Sequence, residues 1–200
     1  MLIWSLSPAL LNEQTPIVIV LHGLEASFDS FYAKRMMNAI HQKGWVGLLM
    51  QFRGCGKKQN RLAKTYHSGQ TEDVAELVKY VHKKFPNNPK YSVGFSLGGN
   101  MLAKYLGEES SHSVLSGGIV ISAPIDLSIC AHAIGQGFSA VYQKYLVDKI
   151  RNKNKEKGKT ERSNQSNDRT NKANTDGENG RAPCRERVKI EGAGRTTKEK

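Results

Sequence analysis

Four short apolar runs of β-type residues, separated by amphipathic helical patterns, constrain the fold of this chain more than any other feature. The runs are IVIVLH (17–22), VGLLMQF (46–52), YSVGF (91–95) and GGIVISA (117–123). Short, continuously apolar runs are typical of strands buried on both faces of a parallel sheet. Alternation of such strands with helices predicts an α/β fold with a doubly wound, mostly parallel sheet. The opening residues, LIWSL, can add a strand in either direction.

Helical spacing of apolar residues fills the segments between these runs. Thr71 is the predicted N-cap of the second helix, and the third is predicted over Leu97–Leu106 with Gly107 just beyond its end. A last stripe begins at Phe138, after the final strand. The stripes are Ala33, Met36, Met37 and Ile40; Val74, Leu77, Val78 and Val81; and Phe138, Val141, Tyr142, Tyr145 and Leu146.

Composition divides the chain near residue 150. Residues 151–200 contain no aromatic residue, and their only large aliphatic side chains are Val188 and Ile190. Of the net charge of +12, residues 1–150 supply 15 − 10 = +5 and residues 151–200 supply 15 − 8 = +7. Such a polar segment cannot bury enough apolar surface to offset the entropy of ordering it. We predict a globular domain over 1–150, with 138–150 beginning a cap region, and a disordered basic tail over 151–200.

Cysteine usage and hydropathy indicate the cellular setting. Cys55, Cys130 and Cys184 show neither a disulfide framework nor metal-ligand spacing. The N-terminal residues lack the basic segment and cleavage site of a signal peptide, and no stretch approaches the ~18 apolar residues of a spanning helix. The sequence therefore predicts a cytoplasmic protein without a transmembrane segment. We expect no metal and no cofactor, since no P-loop or dinucleotide fingerprint is present.

The segment Gly94-Phe95-Ser96-Leu97-Gly98 fits the pattern G-x-S-x-G. It lies between a β-type run and an amphipathic helix, where a sharp turn exposes a serine hydroxyl as a nucleophile. Gly94 and Gly98 are predicted to pass close to each other, and Leu97 N–H is a predicted donor to an oxyanion. The alternative is a tight turn in a nucleotide-binding α/β protein, with Ser96 as a helix N-cap.

The first strand ends in His22-Gly23-Leu24. A strand that ends in this way can place the next backbone N–H, that of Leu24, at a second oxyanion position. The amides of Leu24 and Leu97 would then face one point about 3 Å from the nucleophile. We expect His22 to brace this loop by hydrogen bonding, with the general base as the less favoured reading.

Together these segments resemble the YheT-type α/β-hydrolases, relatives of the ABHD1/ABHD2/ABHD3 group of esterases and lipases. The resemblance covers about residues 17–147 and rests on LHGLEAS, MQFRGCGKKQNR, TYHSGQTEDV, YSVGFSLGGNMLAKYLG, IVISAPIDL and GFSAVYQKYL. It implies a serine hydrolase acting on carboxylic esters, such as acylglycerols or short-chain esters, with Ser96 as the nucleophile. The implied partner is therefore a small-molecule or lipid ester.

In the resembled family, an aspartate and then a histidine follow the cap region. Here all six histidines precede residue 133, and no late strand ending in an acid is evident. Asp126 is a candidate acid, although a turn residue that caps the next short helix is the preferred reading. The sequence thus looks like a piece of this fold without its last strands, and we expect little turnover from it. The segment GRAPCRERVKIEGAGRTTKEK resembles a translated sequencing adaptor, so we interpret residues after about 155 as non-native.

Two other functions remain open from the sequence. One is a non-catalytic α/β binding module that uses the Ser96 turn as an anion site. The other is a nucleic-acid-associated protein that binds through its basic tail by counterion release. The acidic residues interleaved in the tail weaken its field, so the sequence does not favour nucleic acid as a partner.

Overall fold

The structure, a computed structural model, describes residues 2–5, 12–56, 65–153, 155 and 158. The chain divides into two units, Met1–Asn152 and Lys153–Lys200. In the second unit, the described residues 153, 155 and 158 are helical. The adaptor-like segment and nearly all of the predicted basic tail lie outside the described residues. Among the described helices, none is long and apolar enough to cross a membrane.

Five strands form one sheet in the first unit. They are β1 (Leu2–Trp4), β2 (Ile17–Leu21), β3 (Val46–Met50), β4 (Lys90–Phe95) and β5 (Gly117–Ile121), in the spatial order β1-β3-β2-β4-β5. β1 pairs antiparallel with β3, and every other pair is parallel. The predicted α/β fold with a mostly parallel sheet is confirmed. Leu21 stands opposite both Met50 and Gly94, so the carboxyl ends of the central strands meet at one edge.

Helices cover both faces of the sheet, as the alternation of side chains along β2 requires. The helices are α1 (Phe31–Gln42), α2 (Glu72–Lys84), α3 (Leu97–Glu109) and α4 (Leu127–Ile134), and residues 139–152 are also helical. Ile17, Ile19 and Leu21 pack with α2 and α3 in one buried cluster. Val18 and Val20 pack with α1 in a second cluster on the opposite face. All four stripe residues predicted for α2 are buried.

The predicted end of the third helix is wrong. Gly107 lies inside α3, which continues to Glu109 and ends where Ser110 adopts a φ of +46°. The predicted N-cap of α2 is confirmed as Thr71, although its side chain makes no capping hydrogen bond. Its hydroxyl instead bonds the carboxylate of Glu108 on α3, which is the first cause of the lowered pKa of Glu108.

The sequence predicted a buried strand over 117–123, and the predicted burial is wrong. β5 forms where expected, but Ile119 is 60% exposed. Within the described part of the chain, β5 is an edge strand that pairs with β4 alone. The last predicted helix likewise forms with most of its apolar stripe in solvent, from Phe138 to Tyr145, and only Leu146 is buried.

Candidate active site

Ser96 stands alone between the end of β4 and the start of α3. Its φ of +51° and ψ of −119° lie in a region that L-residues rarely populate. Such a conformation costs about 1–3 kcal/mol and persists only where the surrounding structure imposes it. Strand β5 helps to hold Ser96 in this conformation, because the carbonyl of Ile121 accepts the N–H of Ser96 at 2.9 Å. Ser96 is half-buried and directly follows β4, so this residue stands at the carboxyl edge of the sheet.

The glycines of the motif are required by close backbone approaches. A Cβ on Gly94 would lie 2.5 Å from the carbonyl oxygen of Gly98, which is closer than side chains tolerate. A Cβ on Gly98 would lie 2.5 Å from the carbonyl oxygen of His22. The turn therefore packs on itself and, at the same point, on the end of β2.

The loop after β2 lies against Ser96. A Cβ on Gly23 would lie 3.2 Å from the Cβ of Ser96, so the structure brings together these two predicted site residues. His22 is fully buried beside them. Its Nε2 accepts the N–H of Phe52 at 3.1 Å, which leaves Nδ1 to carry the proton that it donates to Gly23 O at 2.7 Å. With both ring nitrogens engaged by backbone, His22 braces the loop and is not placed to act as a general base.

The amides around Leu24 are held by acceptors on both sides. Gly23 N–H donates to the Tyr32 hydroxyl and Glu25 N–H donates to the Tyr66 hydroxyl, each at 2.8 Å. The next amide, of Ala26, donates to Gly23 O at 3.2 Å. Within the described part of the chain, no acceptor is assigned to the N–H of Leu24. Leu97 is the first residue of α3, where the N–H groups have no intrahelical partner and the helix dipole is positive.

Asp126, the candidate acid, is the N-cap of α4. Its Oδ1 accepts the N–H of Ile129 at 2.9 Å, and the residue is exposed. This is the capping contact that the sequence favoured over a catalytic role. Among the described residues, no hydrogen bond or ion pair is found between Asp126 and a histidine.

The other histidines fall into two groups. His41 and His82 lie in the last turns of α1 and α2, and these helices run opposite to the strands, so both lie toward the edge remote from Ser96. His112 follows α3 on the same side. His67 and His132 lie on segments adjoining the carboxyl edge, where His67 Nδ1 bonds Ser68 O and His132 Nε2 bonds the Gln136 amide.

Two residues, Asn100 and Arg53, support the site through partners that are distant along the chain. The side chain of Asn100, one turn after Ser96, accepts Gly69 N–H and donates to Pro124 O, both at 2.9 Å, so it ties together the loops before α2 and after β5. Arg53 pairs through two nitrogens with Asp73, at 2.6 and 2.7 Å. Their partners are 20 to 31 residues away along the chain, so only the fold reveals them. No group of three or more metal-ligating side chains occurs among the described residues.

The sheet order, the Ser96 turn and the loop packed against it define an α/β hydrolase. The chain belongs to the alpha/beta hydrolase fold family, whose model matches residues 16–171. The resemblance predicted from the motifs is confirmed at this level.

Among curated proteins, the chain is 40% identical over 150 residues to "Putative esterase YheT" of Escherichia coli (strain K12), covering 75% of this chain and 44% of that protein. It is 32% identical over 124 residues to monoacylglycerol lipase of Saccharomyces cerevisiae, covering 62% of this chain and 28% of that one. It is 25% identical over 119 residues to phospholipase ABHD3 of Homo sapiens, covering 60% and 29%. The chain thus spans less than half the length of these relatives.

Solved structures share the fold at low identity. Est1E from Butyrivibrio proteoclasticus, bound to ferulic acid, superposes with a TM-score of 0.56 at 17% identity, covering 69% of this chain and 55% of that one. The Pyrococcus furiosus esterase Pf2001 superposes with a TM-score of 0.50 at 22% identity, covering 62% and 48%.

Proposed function

We propose that this chain carries the nucleophile and the oxyanion site of a serine hydrolase that cleaves carboxylic esters. The observation that carries the proposal is the strained turn at Ser96 with the 22–24 loop packed against it. A strained strand-to-helix turn is how this fold exposes a nucleophilic hydroxyl. The names of the relatives, an esterase, a monoacylglycerol lipase and a phospholipase, support an acyl ester as the substrate class.

In the proposed reaction, Ser96 Oγ attacks the carbonyl carbon of the ester. The Oγ proton passes to a general base and then to the leaving alkoxide, so the C–O bond breaks and an alcohol departs. Water then attacks the acyl-Ser96 intermediate, and the acid is released as Oγ regains a proton. The N–H groups of Leu24 and Leu97 stabilise the negative oxygen in both steps, and a donor of this kind contributes about 10²–10³-fold to rate.

The general base and its acid are not assigned to residues described here. His22 is bonded to backbone at both nitrogens, and Asp126 is bonded as a helix cap. We therefore expect this chain alone to be a slow catalyst, since loss of a triad member leaves roughly 10³–10⁴-fold over water.

The test is covalent labelling of the full chain with an excess of a fluorophosphonate probe, followed by peptide mass spectrometry. We expect slow formation of one adduct on Ser96 and none in Ser96→Ala. Ser122→Ala is the matched control, because Ser122 directly follows the neighbouring strand β5 and has a similar φ of +50°. An unmodified Ser96, or equal labelling of Ser96→Ala, would leave a binding module as the better function. Rapid turnover of p-nitrophenyl esters would instead show that a base is present.

A further inference from the structure

The 23–25 loop is held by two phenols that come from different parts of the chain. Tyr32 is the second residue of α1, and Tyr66 precedes α2. Tyr32 takes the N–H of Gly23, and Tyr66 takes the N–H of Glu25. The peptide N–H between these two is that of Leu24, the one assigned to the oxyanion in the proposed function.

Tyr66 forms two hydrogen bonds with Glu25. Its hydroxyl accepts the backbone N–H of Glu25 and donates to the carboxylate Oε1 of the same residue at 2.7 Å. Glu25 has a φ of +50°, so it needs outside contacts to hold that conformation. Burial is the chief cause that raises the pKa of Tyr66, which keeps the phenol protonated and able to donate.

Both rings are anchored on parts of the site. The Tyr32 ring packs against Phe95, the residue directly before Ser96, with centroids 4.8 Å apart. The Tyr66 ring stacks on Phe52 at 5.2 Å, and Phe52 packs in turn on the His22 ring at 4.3 Å. Tyr32 therefore connects the loop to the residue before Ser96. Tyr66 connects the same loop to the segment that follows β3.

We propose that Tyr32 and Tyr66 are positioning residues that clamp the peptides on either side of Leu24 and thereby aim its N–H at the oxyanion. The inference rests on the proposed function for its chemical meaning, but the clamp itself is a property of the folded chain. An oxyanion donor works only if it is fixed before the reaction, because reorienting a loose amide costs part of the stabilisation. Neither tyrosine touches the reacting atoms.

Residue-resolved amide hydrogen exchange of the wild-type full chain tests the clamp directly. We expect protected amides at Gly23 and Glu25 and a faster-exchanging amide at Leu24 between them. In Tyr32→Phe the Gly23 amide, and in Tyr66→Phe the Glu25 amide, should exchange roughly 3- to 10-fold faster, as expected for the loss of one hydrogen bond. Tyr80→Phe is the control, because Tyr80 is a half-exposed residue on α2 away from this loop.

The second readout is the rate of phosphonylation of Ser96 at saturating probe. We expect Tyr32→Phe and Tyr66→Phe to lower this maximal rate roughly 10-fold while the probe concentration for half-saturation stays unchanged, since the defect lies in stabilising the developing charge. If the two tyrosines only stabilised the fold, the Phe substitutions would lower the melting temperature without lowering the maximal rate of labelling at an unchanged half-saturation concentration. Tyr80→Phe should label like the wild type.

The outcomes separate the two proposals. If Ser96 is never labelled but the exchange pattern over 23–25 is as expected, the clamp stands and the hydrolase proposal fails. If Ser96 is labelled and both Phe variants match the wild type in exchange and rate, the clamp is overturned. Should a variant fail to fold, wild-type exchange decides: unprotected Gly23 and Glu25 amides would also overturn the clamp.

Discussion

At the scale of single residues, Gly98 makes the closest backbone approach between the Ser96 turn and β2. A methyl group there would meet the carbonyl oxygens of His22 and Leu21 at 2.5 and 2.7 Å. Because backbone cannot yield as a flexible side chain does, we expect Gly98→Ala to lower the free energy of unfolding by about 1–3 kcal/mol, the usual cost of overpacking. Urea unfolding followed by circular dichroism measures it.

The control for that substitution lies in the same helix. Gly107 is inside α3 and a methyl group there would meet nothing within 4 Å. Replacing a helical glycine with alanine in open space should stabilise by about 0.5–1 kcal/mol. Equal effects of Gly98→Ala and Gly107→Ala would contradict the tight turn.

The tautomer of His22 is a second prediction at this scale. Since Nε2 accepts the N–H of Phe52, the proton must lie on Nδ1, where it is donated to Gly23 O. Long-range ¹H–¹⁵N correlation spectra of the ring should show a protonated Nδ1 and an unprotonated Nε2. The reverse tautomer would leave the Phe52 amide facing another N–H and would contradict the bracing role.

At the scale of elements, a hydrogen bond ties the start of α2 to the end of α3. The Thr71 hydroxyl bonds the Glu108 carboxylate, and Lys104 adds an ion pair at 3.2 Å, so the pKa of Glu108 lies below its ordinary value of 4.5. A lowered carboxyl pKa contributes stability above pH 4.5 that is lost as the pH falls through the folded-state pKa. NMR titration should show the pKa of Glu108 rising toward 4.5 in Thr71→Val and staying low in Thr71→Ser. No difference between the two variants would rule out the hydroxyl as the cause.

The sequence predicted which elements form but not all of their ends. Helix α3 runs past Gly107 with the backbone hydrogen bond from Ser110 N–H to Leu106 O closing its last turn, and Ser110 takes the positive φ instead. Thr71 takes the predicted N-cap position, but its hydroxyl interacts with Glu108 on α3 and makes no capping bond. Local preferences place an element, whereas tertiary partners decide its last residues.

At the scale of the whole molecule, the described part of the first unit exposes apolar side chains along β5 and the segments after it. The larger ones are Ile119, Ile125, Ile129, Phe138 and Val141, each at least 60% exposed. An exposed, flat, apolar edge strand is a site for association between copies. We expect the chain at high concentration to self-associate and to bind the dye ANS.

Ile119→Lys should weaken that association, because a charge on the edge strand opposes pairing. Sedimentation velocity over a range of concentrations measures it. Tyr80→Lys adds the same charge at an exposed aromatic position on α2, and we expect it to leave the association unchanged. If both variants behave like the wild type, the β5 surface is not the site of contact.

The sequence by itself determined the α/β class, the parallel strands and the serine turn, because apolar periodicity and glycine spacing act over a few neighbouring residues. Only the tertiary structure decided that β5 lies exposed and that Tyr32 and Tyr66 hold the loop beside Ser96. These outcomes depend on groups up to 41 residues apart, whose contacts arise when the sheet closes the distance between them. A linear pattern records what each segment prefers, but hydrogen-bond partners across the fold are chosen by geometry that no local pattern contains.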